Sequence, residues 1–181
     1  MEDTSTIVAA HTQDLNEADR TAIIQVCREA CNNPDFQRLF SFLPPNGLHV
    51  LGYSQSQLVS HAVVTTRWLQ PEGHALLKTA YVDAVATAPA YQGRGFGSMV
   101  MRHLAWRIRD EYDIAGLETE RIAFYQRLGW QVWRGPLAGR AKHGLIATPD
   151  QTGVMILLLP RTPELDLESR LTIECQAERI W

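Results

Sequence analysis

The chain has 181 residues, of which 45% are hydrophobic and 20% are charged, so it can bury one sizeable core and we expect a single domain over residues 1–181. Seventeen Lys and Arg face twenty Asp and Glu, a net charge of -3 with no basic tract, which argues against a nucleic-acid partner. The apolar runs are shorter than the roughly 20 residues of a membrane span, and the acidic start lacks a signal-peptide pattern. We therefore expect a cytoplasmic protein without membrane contact.

The stretch "DLNEADRTAIIQVCREACNN" predicts the first helix. Asn16 can cap it, acidic residues occupy its first turn, and Ile23 and Cys27 recur at helical spacing. Cys27 and Cys31 are four residues apart on this helix and could form half of a metal site. We favour core positions and predict no metal, because free Cys is among the most buried residue types and the chain has no CxxC pair. "NNPDFQRLFSFLPPNG" follows as a short helix or loop whose phenylalanines line a pocket or, as we favour, pack.

Three extended runs come next, "LHVLGYS", "QLVSHAVVTTRWLQ" and "HALLKTAYVDAVATA", and predict a meander of antiparallel strands. After a glycine-rich turn, "GSMVMRHLAWRIRDEY" predicts a helix with Val100, Leu104 and Ile108 on its buried face. "DIAGLE" predicts a short buried strand, and "TERIAFYQRLG" a helix opened by Thr119 and ended by Gly129. "WQVWRG", "GVMILLLP" and "RLTIECQ" predict further strands. This order predicts an α/β protein with a mixed sheet covered by helices.

The turn "AYQGRGFG" at residues 90–97 places three glycines between a predicted strand and a predicted helix. Unpaired amide N–H groups and the positive end of the helix dipole meet there, which favours an anion, phosphate above others. The turn has no Lys, so it is not a Walker A loop. It lacks the third small residue of the Rossmann fingerprint and follows antiparallel-looking strands, which fits a Rossmann fold badly.

The segment from Gln92 to Gly97 has the order Gln or Arg, two residues, Gly, one residue, Gly or Ala. This order resembles the pyrophosphate-binding signature of the GCN5-related N-acetyltransferases (GNAT). The strand "YVDAVATAPA" running into the turn and "FYQRLGW" about thirty residues later are similar to two further pieces of that family. The resemblance covers most of residues 15–160. It implies a GNAT fold, an α/β structure whose mixed, mostly antiparallel central sheet is split by acetyl-CoA and flanked by helices.

The resemblance also implies that acetyl-CoA is the cosubstrate. Its pantetheine is expected to pair with the backbone of the strand before the turn, and its pyrophosphate with amides of the turn itself. The residues implied for these contacts are Val85, Ala86, Thr87, Gln92, Gly93, Arg94, Gly95, Phe96, Gly97 and Ser98.

Acetyl transfer to an amine needs a base, because the amine is mostly ammonium at pH 7. We predict Asp83, which interrupts an apolar strand and by alternation shares a face with Tyr81 and Val85. Its alternative roles are an ion pair or an edge position facing water. Tyr125 lies where the family often places a proton donor for the departing thiolate, and it is either that catalytic acid or a core tyrosine beside Phe124.

The end "IECQAERIW" resembles the aminoglycoside 2'-N-acetyltransferases, small GNAT enzymes that end near a tryptophan whose carboxylate helps to hold the antibiotic. "PDF" at 34–36, "YVDAV", "YQRLGW" and "GVM" at 153–155 agree with that subfamily. The resemblance implies that Asp35, Asp83 and the carboxylate of Trp181 face the sugar amines of the substrate. Glu118 is a further residue predicted to contact it.

The sequence departs from that subfamily where Arg179 and Phe40 stand roughly at positions of acidic residues. Fewer carboxylates favour an acceptor with fewer amines, or one with its own carboxylate. Kasugamycin has a single sugar 2'-amine and an imino-acetate group, so it suits this pattern better than gentamicin or tobramycin. Arg179 or Arg38 could pair with that carboxylate. The predicted function is acetylation of an aminoglycoside 2'-amine, with kasugamycin favoured, and resistance to the antibiotic as its result.

Several alternatives stay open. The acceptor could be a polyamine or a protein, or the chain could be a non-catalytic acetyl-CoA-binding module in which the predicted acid and base are structural. His49, His61 and His74 lie on predicted strands and offer a different base, although a strand histidine is more often structural. "GVMILLLP" could form the interface of a homodimer or a central strand of the core.

Overall fold

The computed structural model describes residues 5–176 and 179–181. The strands are β1 (Ser5–His11), β2 (Leu48–Ser54), β3 (Gln57–Pro71), β4 (Leu77–Thr87), β5 (Ile114–Glu118), β6 (Gln131–Val132), β7 (Leu137–Ala141), β8 (Gly144–Ala147), β9 (Val154–Leu158) and β10 (Leu171–Glu174). The helices are α1 (Glu17–Cys31), α2 (Leu39–Phe42), α3 (Phe96–Ile108) and α4 (Ile122–Gln126), with 3-10 helices at Thr12–Asp14, Pro34–Arg38 and Pro89–Tyr91. Over this described part, no helix is long and apolar enough to cross a membrane.

The chain folds as two compact units. Unit 1 contains the described residues up to Thr65 together with Val82–Arg107, and unit 2 contains Thr66–Tyr81 and the described residues from Ile108 onward. Strands β3 and β4 each contribute residues to both units. The expectation of a single domain over the whole chain stays a prediction.

Unit 1 is built on an antiparallel ladder of β1, β2 and the first part of β3. Helix α1 begins as predicted: the Asn16 side chain accepts the Asp19 N–H at 2.9 Å, and the Asp19 carboxylate accepts the Asn16 N–H at 3.4 Å, which makes a capping box. Gly52 of β2 lets α3 approach closely, because a Cβ there would lie 2.9 Å from Val100 Cγ2. The core of unit 1 consists of Leu15, Ile23, Val26, Cys27, Leu39, Leu51, Leu58 and Ala86.

In unit 2 the strand order is β6-β9-β5-β4-β3-β10-β7-β8. The β4–β5 and β7–β10 pairs are parallel, whereas β5–β9, β6–β9, β3–β10 and β7–β8 are antiparallel. The sheet is therefore mixed and mostly antiparallel, as predicted. Its core residues are Leu69, Leu77, Tyr81, Ile114, Trp133, Val154, Ile156, Leu171, Ile173 and Trp181.

Strand β9 decides between the two uses predicted for "GVMILLLP". It lies between β5 and β6, and Val154, Met155 and Ile156 are buried. These three residues form a core strand, as one of the two alternatives held. The expectation of a homodimer stays a prediction.

Three elements differ from the sequence-based expectations. Strand β1 and the β7–β8 hairpin were missed, because β1 is a largely exposed edge and all four residues of β8 are exposed, so neither shows a clear apolar pattern. Helix α4 is shorter than predicted and begins at Ile122, since Thr119 Oγ1 accepts the Arg121 N–H at 2.9 Å in the turn before it. His74 lies in the turn between β3 and β4, not on a strand.

Candidate functional site

The glycine-rich turn connects the end of β4 to α3 through the short 3-10 helix Pro89–Tyr91. Gly93 and Gly95 adopt φ of +74° and +89°, a left-handed backbone that costs other residues about 1–2 kcal/mol. A Cβ at either glycine would meet nothing within 4 Å. The glycines are thus required by backbone conformation, and the space above them is open. We call residues 92–98 the glycine loop.

The glycine loop presents backbone donors to that open space. Met99 N–H donates to Gly95 O at 3.0 Å, so the hydrogen-bond ladder of α3 begins there, and the first N–H groups of a helix have no partner within it. The Gln92 side chain braces the loop by donating to Thr87 O at 3.0 Å. Unpaired N–H groups and the positive end of the helix dipole suit a phosphate. The residues present therefore fit a pyrophosphate.

Arg94 is part of the glycine loop, and its guanidinium lies 5.0 Å from the Tyr91 ring centre and 5.9 Å from that of Phe96. The Tyr91 hydroxyl in turn donates to Gln57 Oε1 at 3.2 Å. Arg94, Tyr91 and Gln57 border a cavity of about 570 Å³, which is also lined by the β2–β3 turn at residues 54–56. The sequence reasoning missed this turn, because its polar residues carry no motif.

Asp83 is half-buried in β4, and the backbone departs from extended geometry directly after it. Ala84 has φ of +49°, although it is not glycine and lies inside a strand. We call this departure the Ala84 kink. A kink of this type interrupts the alternation of side chains along a strand. The expectation that Asp83 and Val85 share a face assumed regular alternation and loses that basis.

A pair of buried histidines lies behind the Ala84 kink. His49 stands opposite Val63 and His61 opposite Leu51 in the β2–β3 ladder, so the two rings are diagonal neighbours on one face of the sheet. His49 Nδ1 is 2.9 Å from His61 Nε2, and His61 Nδ1 is 2.8 Å from Ala84 O. Both histidines are fully buried.

Burial sets the charge of this pair. It lowers the pKa of His49 to about 3, with further lowering by His61, Arg20 and His11. It lowers the pKa of His61 to about 4, although the hydrogen bond to Ala84 acts in the opposite direction. Both rings are therefore neutral at pH 7. The neighbouring Cys27 thiol is neutral as well, since burial raises its pKa to about 12.

Three of the residues predicted to bind the amine substrate lie in unit 1. Asp35 and Arg38 are exposed on the 3-10 helix Pro34–Arg38, and the Asp35 N–H is held by Asn33 Oδ1 at 2.8 Å. Phe40 is partly buried on α2 and stacks on His49 with ring centres 5.7 Å apart. The structure therefore brings Phe40, a residue predicted to bind the amine substrate, into contact with the histidine pair.

The other predicted residues lie in unit 2. Tyr125 is buried and packs edge-on against Phe124 and Trp130, at 4.9 and 5.9 Å between ring centres. Glu118 is exposed at the end of β5, and Arg179 is exposed. The Trp181 side chain is buried and donates from Nε1 to Thr148 Oγ1 at 3.0 Å.

The sequence model of the acetyltransferase (GNAT) domain family matches residues 11–133. This stretch is more than half of the chain and contains the Ala84 kink, the glycine loop and Tyr125. The chain belongs to the GNAT acetyltransferase family. GNAT acetyltransferases use acetyl-CoA, so the expected cosubstrate is the one used by the family, and the predicted GNAT fold is confirmed.

The relatives of this GNAT chain include the aminoglycoside 2'-N-acetyltransferase of Mycolicibacterium fortuitum, which is 29% identical over 176 residues, 94% of this chain and 89% of that protein. Among solved structures, the GNAT family N-acetyltransferase YhbS from Escherichia coli, in complex with CoA, has a TM-score of 0.63 at 13% identity, covering 95% of this chain and 89% of that one. The GCN5-related N-acetyltransferase from Kribbella flavida has a TM-score of 0.58 at 21% identity and covers 74% of this chain. This chain spans about a third of the Kribbella protein, 34% of its length. These structures share the fold.

One notable residue of this GNAT chain was missed from sequence. Arg67 is fully buried, with Nε 3.2 Å from Glu174 Oε1 and Nη2 donating to Glu174 O at 2.6 Å and Ile180 O at 2.7 Å. Its guanidinium lies 4.9 Å from the Tyr81 ring centre. A buried charge needs such partners. The sequence did contain an indication of this residue, because Arg67 is the one charged residue in the predicted strand segment "AVVTTRWLQ". Asp83 was predicted as a site residue on the same kind of evidence.

Proposed function

We propose that this chain transfers the acetyl group of acetyl-CoA to the 2'-amine of an aminoglycoside, with kasugamycin as the favoured acceptor. The observation that carries the proposal is the glycine loop, with its two left-handed glycines, open space above them and N–H groups at the start of α3. The 29% identical relative named aminoglycoside 2'-N-acetyltransferase supports the choice of acceptor class.

Residues of unit 1 bind the cosubstrate in this proposal. The amides of the glycine loop up to Ser98 hold the pyrophosphate, except that of Gln92, which donates to Pro89 O at 3.3 Å. The backbone of Val85–Thr87 pairs with the pantetheine. Arg94 adds positive charge within the glycine loop, where the Tyr91 and Phe96 rings orient its guanidinium. Acetyl-CoA supplies the thioester whose acetyl group passes to the amine.

Asp83 and Tyr125 handle the protons. The acceptor amine is an ammonium at pH 7 and is not nucleophilic until it loses a proton. Asp83 takes this proton, directly or through a water molecule, so that the amine nitrogen can form the new C–N bond. The C–S bond breaks, and the Tyr125 hydroxyl returns a proton to the departing sulfur. Each role is tested by its own variant, Asp83→Asn or Tyr125→Phe.

Charged residues select the acceptor. The carboxylates of Asp35 and Glu118 attract the cationic sugar, since each ammonium that leaves water needs a partner. Arg38 and Arg179 supply cations for an acceptor that carries a carboxylate, which kasugamycin does and gentamicin does not. Both arginines are exposed and therefore accessible to a ligand.

The test is a thiol-release assay with acetyl-CoA and a panel of kasugamycin, gentamicin, tobramycin, spermidine and a basic peptide. We expect turnover of aminoglycosides, with kcat/KM highest for kasugamycin, and loss of that preference in Arg179→Ala or Arg38→Ala. A higher kcat/KM for gentamicin would remove kasugamycin and keep the enzyme class. No turnover with any acceptor, together with CoA binding by calorimetry, would replace the proposal with a CoA-binding module.

The biological result of this chemistry is antibiotic resistance. An acetylated 2'-amine carries no positive charge, so the antibiotic loses one of its ionic contacts. Expression of the chain in a susceptible bacterium is expected to raise the inhibitory concentration of kasugamycin, and expression of Asp83→Asn is the matched control. Equal inhibition in both strains would contradict the role in resistance.

A further inference from the structure

The Ala84 kink needs support from its surroundings. A non-glycine residue with positive φ inside a strand persists only where neighbouring groups hold it. The Ala84 carbonyl is held by the His61 ring, whose Nδ1 lies 2.8 Å away. The Cys27 thiol is a second and longer contact, with Sγ 3.9 Å from the same oxygen.

The direction of the hydrogen bond between the two histidines follows from that carbonyl. A carbonyl can only accept, so His61 Nδ1 carries a hydrogen and Nε2 of the neutral ring accepts. His49 Nδ1 must then donate to His61 Nε2 across 2.9 Å. His49 Nε2 lies 3.0 Å from Thr12 Oγ1, whose hydroxyl also lies 3.2 Å from Gly47 O. From His49 through His61 to Ala84 O the chain thus has a single arrangement of hydrogens, and the Thr12 hydroxyl lies at its outer end. We call it the histidine relay.

The relay stays in this arrangement because both rings are neutral. The charged and titratable groups that face it are Arg20 and Cys27 of α1 and His11 of β1. Burial and the nearby Arg20 guanidinium lower the pKa of His49 well below 7. A second proton on His61 would point its Nε2–H at the Nδ1–H of His49 across the 2.9 Å contact and break the relay.

The outer end of the relay contacts Phe40, one of the residues predicted to bind the amine substrate. Phe40 stacks on the His49 ring, and the Arg20 guanidinium lies 4.8 Å from the Phe40 ring centre. Arg20 Nη2 also donates to Thr12 O at 2.6 Å. The inner end touches the residue after Asp83. The relay therefore joins Phe40 to the Ala84 kink through buried side chains of unit 1 alone.

We propose that His61, supported by His49, is a positioning residue that fixes the Ala84 kink and thereby sets the direction of the Asp83 carboxylate and of the backbone at Val85. The inference rests on the proposed function, in which these two groups contact the reacting molecules. In this inference His61 does not itself contact acetyl-CoA or the amine, and acts through the carbonyl of Ala84.

The test compares His61→Leu with His61→Asn. Leucine fills the site without a donor, whereas the asparagine Nδ2 can stand near the position of the His61 Nδ1 and donate to Ala84 O. We expect kcat to fall by about 10- to 100-fold in His61→Leu, the range expected for a misplaced reacting group, and to recover substantially in His61→Asn. The dissociation constant for CoA should rise less than kcat falls in His61→Leu, since the Val85 contact to the pantetheine is disturbed while the glycine loop is untouched, and it should recover in His61→Asn.

A second measurement is independent of activity. Amide hydrogen exchange at residues 83–86 is expected to accelerate in His61→Leu and to return toward the original rates in His61→Asn. Thr79→Val is the matched control, because Thr79 is also fully buried and accepts the Leu69 N–H at 3.1 Å from an earlier position in β4. That variant should lower global stability without a specific effect at residues 83–86.

The outcomes separate this inference from the proposed function. If His61→Leu does not fold, His49→Phe takes its place, since it keeps a ring against Phe40 and removes the donor to His61. Unchanged exchange at residues 83–86 in the folded variant overturns the inference, whatever the activity. If the original chain acetylates no acceptor but exchange still accelerates, the proposed function fails and the positioning role of His61 stands.

Discussion

Mild acid should destabilise this protein through its buried histidine pair. The folded pKa values of about 3 for His49 and about 4 for His61 lie below the ordinary 6.5, so between these limits the unfolded chain binds more protons than the folded one. The buried histidines therefore do not lower the free energy of unfolding above pH 6.5. They lower it progressively as the pH falls from 6.5 to about 3, and their effect is constant below that pH.

The magnitude follows from the same values. A pH of 5 lies about 1.5 units below the pKa of a histidine in the unfolded chain, and one unit corresponds to about 1.4 kcal/mol. Each buried ring therefore costs about 2 kcal/mol of stability at pH 5, and the pair about 4 kcal/mol. A domain is stable by roughly 5–15 kcal/mol, so the pair alone could remove a large part of the total.

The assay is urea unfolding at pH 7.5 and pH 5.0 for the original chain and for the double variant His49→Gln, His61→Asn. Other titrating groups are common to both proteins, so the difference between the two pH-dependent losses isolates the pair. We expect the double variant to lose about 4 kcal/mol less. His143→Gln, at an exposed position in the β7–β8 turn, controls for the loss of an imidazole as such. Equal losses in the original chain and the double variant would refute the reasoning.

Three further predictions follow from the site. Gly95→Ala, at φ +89°, should cost about 1–2 kcal/mol and raise the KM for acetyl-CoA, whereas Gly144→Ala, at φ +131° at the start of β8, should affect stability alone; equal KM effects would contradict this. Asp83→Asn should lower kcat by about 10²- to 10⁴-fold with CoA affinity by calorimetry unchanged, and retained turnover would exclude Asp83 as the base. Arg67→Met removes the donor to the carbonyls of Glu174 and Ile180 and should cost about 1–3 kcal/mol for each carbonyl in urea unfolding; a negligible loss would show that Arg67 contributes no net stability.

Much of the fold was predictable because its signals are local. The cap at Asn16, the buried face of α3 and the passage from β4 into the glycine loop each depend on residues a few positions apart. The two glycines with positive φ confirm that the turn needs a special backbone. Strand β1 lacked such a signal, because an exposed edge strand does not alternate between apolar and polar residues.

The Ala84 kink and the histidine relay were not predictable for a different reason. Alanine gives no hint of a positive φ, which is held here by a side chain from another strand. The contact between His49 and His61 depends on the register of β2 against β3. Both strands are buried on both faces in this region, so their sequences lack the alternation that would indicate the register. The histidines were noted as structural candidates, but their partners could come only from three-dimensional packing.

The two cysteines of α1 will behave very differently toward thiol reagents. Cys27 is buried and its pKa is raised to about 12, whereas Cys31 is exposed at the end of the helix. Maleimide or a disulfide dye should modify Cys31 in the native protein and reach Cys27 only after unfolding. Colorimetric detection of liberated CoA therefore requires subtraction of the enzyme's own sulfhydryl signal. The same contrast makes Cys31 a convenient attachment point for a fluorescent or spin label near the segment that leads to Phe40.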